Sequence, residues 1–312
     1  MKKKKLAIYI TTFTILASSI PFILKKETKE PLQKQIVEYI SEFNEDNFEI
    51  TAHRGFSSLE IENTRESLSL AANQKYIDYI EVDARMTKDQ KIVLSHNNTI
   101  LDENNKKKKI SESNYQDILE TLFIYQINPF YNVPTTADDI QLVKLRETSL
   151  NKRPYSLIGL IDGLKSCKNK KILLDLKFQN NTIPFVKELK EELKNENTSK
   201  IIFQSNNLVA LKYLQDHSNY NCLAIIDSGF DYLYLNTFQK FGIKKSMINY
   251  NLVKKLLKDE KKVAIWTINN TNDLDKATDT LKDLYKEINY ITDYPDLIAT
   301  KLHEKEKIKE ML

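Results

Sequence analysis

The chain has 312 residues, 41% hydrophobic and 29% charged, with only 5 glycines. It can bury a sizeable core, so a wholly disordered chain is excluded, and its glycines are too dispersed for a GxGxxG or GxxxxGKS/T phosphate loop. The formal charge of +4 belongs to the first 30 residues, which hold seven lysines and two glutamates. The remainder is near neutral, which argues against a nucleic-acid binder with a cationic footprint on its folded portion.

Lys2 to Lys5 precede the uncharged stretch Leu6 to Leu24, which as a helix is about 28 Å long and matches a bilayer core. The positive-inside rule then leaves the N-terminus in the cytoplasm and sends everything after Lys26 outside. A cleaved secretory signal is the alternative, with Leu6 to Leu16 as its apolar core and Ala17-Ser18-Ser19 at the cut. Residues 1–26 are therefore read as an anchor or signal segment and 27–45 as a linker with a short helix. Either reading makes the rest extracytoplasmic, at the cell membrane or secreted. Cys167 and Cys222 are too few for a metal cluster or a disulfide framework, although one bridge between them is open in an oxidising compartment.

From residue 46 to about 305, β-rich runs alternate with helical patterns, the signature of parallel βα units. The runs are FEITAH (48–53), YIEVDA (79–84), KILLDLK (171–177), IIFQS (201–205), CLAIID (222–227), SMINY (246–250), VAIWTIN (263–269) and NYIT (289–292). Helices are expected at LVALKYLQDH, NLVKKLLKDE and LDKATDTLKDL, and Asn63 with Glu66 three residues on suits a helix start. Eight alternations predict an α/β fold of the (β/α)₈ TIM-barrel type. A doubly wound open sheet lacks its usual glycine-built ligand loop here. Residues 97–155 are too long for an ordinary βα connection and are read as an insertion, with a helix at SESNYQDILETL. The run Lys106 to Lys109 reads as a solvated loop.

Charges stand where a strand should be apolar. Glu81 and Asp83 are two apart, so they share one face of their strand, and Asp175 and Lys177 repeat the pattern. Carboxylates converging at neighbouring strand ends make an oxygen-rich site for a hard divalent cation, Mg²⁺ or Ca²⁺. The competing reading is a set of structural ion pairs with Arg54, Arg85 or Lys177. Of four histidines, His53 and His96 end β-rich segments flanking the carboxylate strand, where they can move protons near neutral pH. His217 and His303 read as surface residues.

His53-Arg54-Gly55, Glu62-Asn63-Thr64, Glu81-Val82-Asp83 and MTKDQKIVLSH ending at His96 together resemble the glycerophosphodiester phosphodiesterase family. LLDLK at 173–177, FQS at 203–205, Trp266-Thr267-Ile268-Asn269 and Thr292-Asp293-Tyr294-Pro295 are similar to its later landmarks, in order. The resemblance implies a barrel that hydrolyses small-molecule glycerophosphodiesters to an alcohol and glycerol 3-phosphate with a divalent cation. It implies His53 and His96 as the acid/base pair and Glu81, Asp83 and Asp175 as metal ligands. Arg54 and Lys177 fall on the phosphate, and Trp266 on the glycerol pocket. Two positions depart from the pattern. Asp175 stands where the family usually has glutamate, although the similar sphingomyelinase D barrels have aspartate at that place, and Asn97 follows His96 where aspartate is common. Glu62 is left between an outer metal-site role and a helix-entry role. Two further activities compete: a phospholipase D-like enzyme on lysolipids or glycerol-phosphate polymers, and a non-catalytic phosphodiester-binding barrel.

Overall fold

Short strands buried on both faces must cover each face with something apolar, and a parallel sheet does so by closing on itself inside a ring of helices. In the computed structural model, which describes residues 49–127 and 149–311, the first two strands are β1 (Glu49–Ala52) and β2 (Tyr79–Met86), and β3 (Ile92–Leu94) folds back antiparallel on β2. The hairpin pair β4 (Thr99–Leu101) and β5 (Lys107–Lys109) follows, then β6 (Phe123–Ile124) paired with β7 (Pro154–Tyr155). The rest are β8 (Lys171–Leu176), β9 (Ile201–Ser205), β10 (Asn221–Ile226), β11 (Lys240–Lys244), β12 (Lys262–Trp266) and β13 (Ile288–Thr292).

Parallel pairing runs β1-β13-β12-β11-β10-β9-β8-β2, and β1 also pairs with β2. Eight parallel strands therefore close into a barrel, as predicted. These residues fall within one compact unit, 43–312. The register sets Asp83 opposite Asp175 and Glu81 opposite Leu173. Ile80, Val82, Leu174 and Leu176 are buried beneath the helices, while Tyr79, Leu173, Leu223, Ala264 and Ile291 pack together as one buried cluster inside the barrel. Asn207, Asn249 and Asn270 cap the helices Leu208–Asp216, Tyr250–Lys258 and Thr271–Leu281, each accepting a backbone N–H at the third residue on.

Four expectations need correcting. SMINY is not a strand: β11 is Lys240–Lys244, and Asn249 is a helix cap. Only Phe241, Gly242 and Ile243 of β11 are buried, between lysines, so its sequence lacks a hydrophobic run. The first helix, Arg65–Ala72, is capped by Thr64 in a box with Ser67, not by Asn63 with Glu66. The lysine run is a hairpin strand rather than a loop, and the inserted helix is shorter than expected, Tyr115–Glu120. No helix among the described residues is long and apolar enough to cross a membrane. The leader at 1–26, the linker and helix at 27–45, and residues 128–148 of the insertion lie outside the described residues. Cys167 and Cys222 are buried and free.

Candidate active site

The C-terminal ends of the barrel strands open onto a cavity of about 340 Å³. His53, Glu81, His96, Asp175, Lys177 and Trp266 all line it. At the end of β1 the chain turns sharply, with Arg54 at φ 60° and Gly55 at φ 82°. A Cβ on Gly55 would lie 2.6 Å from Ser67 Oγ and 2.7 Å from the Ser67 carbonyl carbon, so only glycine lets this turn rest on the first helix. The turn aims the Arg54 amide at Glu81 Oε2, 3.0 Å away. The Arg54 guanidinium reaches both oxygens of Glu62, at 3.1 and 3.0 Å, and its Nε lies 3.2 Å from Asp83 Oδ2.

Glu81, Asp83 and Asp175 are buried, and each offers an oxygen within 4.8 Å of the others. Lys177 donates to Asp175 Oδ2 at 2.5 Å and lies 2.9 Å from Asp83 Oδ1. Burial tends to raise the Asp83 pKa, but Lys177, Arg54 and the two histidines hold it well below the usual carboxylate range. Burial pushes Glu81 well above that range, helped by Asp83 and Asp175. Asp175 is also raised by burial, although Lys177 pulls the other way. Burial disfavours the Lys177 charge, yet Asp175, Asp83 and Glu81 outweigh it and raise the ammonium's pKa.

This donor set fits a hard cation. It presents only oxygens, and Gln204 Oε1 is buried without a hydrogen-bond partner, while Asp83 Oδ1 has the Lys177 ammonium 2.9 Å away. The competing ion-pair reading holds in part, because Arg54 and Lys177 both pair with carboxylates of the cluster. Arg85 does not. It donates instead to the His96 carbonyl, at 2.8 Å from Nε and 2.5 Å from Nη2.

Each histidine has an oxygen at its Nδ1. His53 Nδ1 is 2.6 Å from Asp293 Oδ1, while its Nε2 is 3.8 Å from Glu81 Oε2. Asp293 is itself held by Ser57 Oγ at 3.1 Å and Asn269 Nδ2 at 2.7 Å. His96 Nδ1 is 3.2 Å from Asn97 Oδ1, so the residue that departs from the family pattern still offers an acceptor. Burial pushes the His96 pKa down to about 4 against the opposite pull of Asp83, with Arg54 and Lys177 adding to the fall. Trp266 donates from Nε1 to the Gly242 carbonyl at 2.9 Å, which fixes its ring in the cavity wall.

Sequence reasoning missed two supporting residues. Asn63, at φ 58°, clamps Asp83 by donating to Oδ2 at 2.9 Å and accepting from the Asp83 amide at 3.0 Å. An asparagine tolerates this left-handed backbone, and its place between Glu62 and Thr64 was the available signal. Asp293 was legible only as part of a landmark. Glu62 binds Arg54 and also accepts from Tyr125 of the insertion at 3.3 Å.

A sequence profile of the glycerophosphoryl diester phosphodiesterase family matches residues 53–297. The chain belongs to that family. It is accordingly an enzyme, a phosphoric diester hydrolase. No curated protein sequence matches it. Among solved structures it is similar to a phosphodiesterase from Oleispira antarctica in complex with its product sn-glycerol-3-phosphate, at 18% identity and TM-score 0.61, covering 82% of this chain and 96% of that one. A glycerophosphodiester phosphodiesterase from Thermotoga maritima matches at 18% identity and TM-score 0.57, covering 83% and 100%. One from Parabacteroides distasonis matches at 17% and 0.61, covering 84% and 100%. Likeness at this level of identity concerns the fold.

Proposed function

We propose that the enzyme cleaves glycerophosphodiesters to an alcohol and glycerol 3-phosphate, with His53 and His96 as acid and base and a divalent cation, Mg²⁺ or Ca²⁺, held by Glu81, Asp83 and Asp175. The observation that carries the reading is the meeting of both histidines with Glu81 and Asp175 on one cavity, with Asp83 clustered behind them within 4.8 Å of both carboxylates. The glycerol 3-phosphate bound to the Oleispira antarctica relative supports the substrate class.

In the first step one histidine accepts the proton of the glycerol hydroxyl next to the phosphate as that oxygen attacks phosphorus. The bond to the alcohol breaks, and the other histidine protonates the departing oxygen, leaving a cyclic phosphate. Water then attacks, gives its proton to the histidine that acted as acid, and the ring opens as the first histidine returns its proton to the glycerol oxygen. With Asp293 and Asn97 accepting at Nδ1, both rings are oriented to work through Nε2. Arg54 and Lys177 offset the phosphate charge, and Trp266 borders the glycerol. The cation, when bound, neutralises phosphate oxygens and acidifies the attacking hydroxyl.

The leader supports an extracytoplasmic enzyme, at the membrane or released from it. A second reading, lysolipids or glycerol-phosphate polymers as substrates, is favoured by the apolar part of the cavity wall, Ile100, Leu101, Ile124 and Ile127.

Turnover of a panel of glycerophosphodiesters with and without chelator tests the proposal. Full activity in excess EDTA removes the cation. Asp175→Asn is expected to raise the cation concentration for half-maximal activity by about tenfold or more, and Asp175→Glu to preserve it. An unchanged midpoint in Asp175→Asn takes Asp175 out of the metal site and leaves it as the partner of Lys177.

A further inference from the structure

Six large hydrophobic side chains are exposed among the described residues: Leu122, Ile183, Val209, Phe230, Tyr232 and Leu233. Single exposed apolar residues are ordinary on any protein surface. Their placement here is not scattered. Ile183 lies in the first turn of Thr182–Glu192, which follows β8; Val209 lies in the first turn of Leu208–Asp216, which follows β9. Phe230, Tyr232 and Leu233 lie on the short helical turn Gly229–Tyr234, which follows β10. Strands β8, β9 and β10 are neighbours in the barrel, and the residues just beyond them, Lys177, Asn206 and Asp227, line the cavity. Leu122 belongs to the insertion, on the adjoining sector. Phe230 and Leu233 are more than four-fifths exposed, at 84% and 82%.

The loops that carry this arc are poor in charge. Residues 178–183, 205–209 and 227–237 contain no lysine or arginine, in a chain with 47 of them. Of their two acids, Asp231 is turned inward, accepting from the amides of Asp227 and Ser228 at 3.0 and 2.8 Å. An aromatic and aliphatic edge stripped of cations avoids the cost of dehydrating ammonium groups against hydrocarbon.

We propose that the enzyme docks mouth-down on a lipid surface through this arc, with Ile183, Val209, Phe230 and Leu233 entering the interface. The cavity then receives phosphodiesters carried by lipid headgroups. The substrate half of this inference rests on the phosphodiesterase reading above, whereas the docking half rests on the exposed arc. The occupant is a bilayer because the arc is continuous with the cavity mouth, and because the uncharged stretch Leu6 to Leu24 matches a bilayer in length. Residues 25–48 between that stretch and β1 can reach at most about 80 Å, enough for the mouth to face the membrane that the leader enters.

The test uses the full chain carrying Phe230→Trp or, separately, Val209→Trp, mixed with phosphatidylcholine–phosphatidylglycerol vesicles whose acyl chains are brominated. The native chain has 1 tryptophan, Trp266 in the cavity wall, which sets the background. Both new tryptophans are expected to shift to the blue and to be quenched several-fold more than Trp266. Vesicle-bound protein without quenching at either position would mean that the leader alone holds it, and overturns the proposal. Quenching at 230 but not at 209 overturns the arc as a single surface. An emission change that follows protein concentration without lipid assigns the arc to a second copy, and also overturns it. In a kinetic arm, Phe230→Ser combined with Leu233→Ser should raise the apparent KM for vesicle-borne lysolipid about tenfold, with kcat/KM on a soluble glycerophosphodiester unchanged. An unchanged KM for vesicle-borne lysolipid in this variant overturns the docking role. Quenching without turnover of any diester supports docking and sinks the phosphodiesterase reading.

Discussion

Inside the barrel, Tyr79, Leu173, Leu223, Ala264 and Ile291 form a sealed apolar layer. Further along the same strands the inward positions become charged or polar: Glu81 and Asp83 on β2, Asp175 on β8 with Lys177 just after it, Gln204 on β9, Asp227 after β10 and Asp293 after β13. Strand geometry is identical in the two layers, so the difference lies in what the adjoining loops can supply. At the mouth, the turn after β1 delivers Arg54 and Asn63 to the carboxylates, and each charge finds a partner. The lower layer has no such loops beside it, and an apolar filling is the stable solution. The apolar floor also lowers the local dielectric, which deepens the burial penalty and the repulsion that push Glu81 up and strengthens the attraction that holds Asp83 down.

The largest effect should come from the mouth. His53→Ala and His96→Ala are each expected to lower kcat by about 100- to 10,000-fold, with the barrel still folded because both side chains border the cavity. Near-native kcat in either variant would take that histidine out of the acid/base pair. The floor should behave in the opposite way. Leu173→Ala should cost about 2–5 kcal/mol of stability, measured by denaturant unfolding, while the folded fraction keeps its KM. A loss below about 1 kcal/mol would mean that the layer is not tightly packed.

A smaller effect is expected where a carboxylate is buried without the mouth's counter-charges. Asp296, at the start of the last helix, is 5% exposed, and its Oδ1 has no hydrogen-bond partner. Burial raises its pKa from 3.8 to about 6. Because the folded-state value lies above the unfolded one, its contribution to stability is full below about pH 4 and is lost as pH rises through about 6. The loss amounts to about 3 kcal/mol. Asp296→Asn should flatten the stability profile between pH 4 and 7; an unchanged slope would mean that Asp296 stays charged.

The barrel was legible because seven of its eight strands announce themselves as β-rich runs between amphipathic helices. The eighth, Lys240–Lys244, was not, since its buried centre is three residues long and one of them is Gly242. No β-run stands out there, and the Met247-Ile248 pair nearby offered a better pattern than the strand itself. The carboxylate cluster was legible for a local reason: residues two apart on a strand share a face wherever the strand lies.

The sequence by itself determined the parallel alternation, the common face of Glu81 with Asp83 and of Asp175 with Lys177, and the histidines at strand ends. Each follows from spacing within a few residues, where the backbone repeat dictates direction. Only the tertiary structure decided which partners those groups meet. His53 finds Asp293 across 240 positions of sequence, through the pairing of β1 with β13 that closes the barrel. Asp83 finds Asn63 through a left-handed turn, and Arg85 finds the His96 carbonyl rather than a carboxylate. Such pairings depend on closure and register, which are set by the packing of the whole sheet and leave no periodic trace in any one segment.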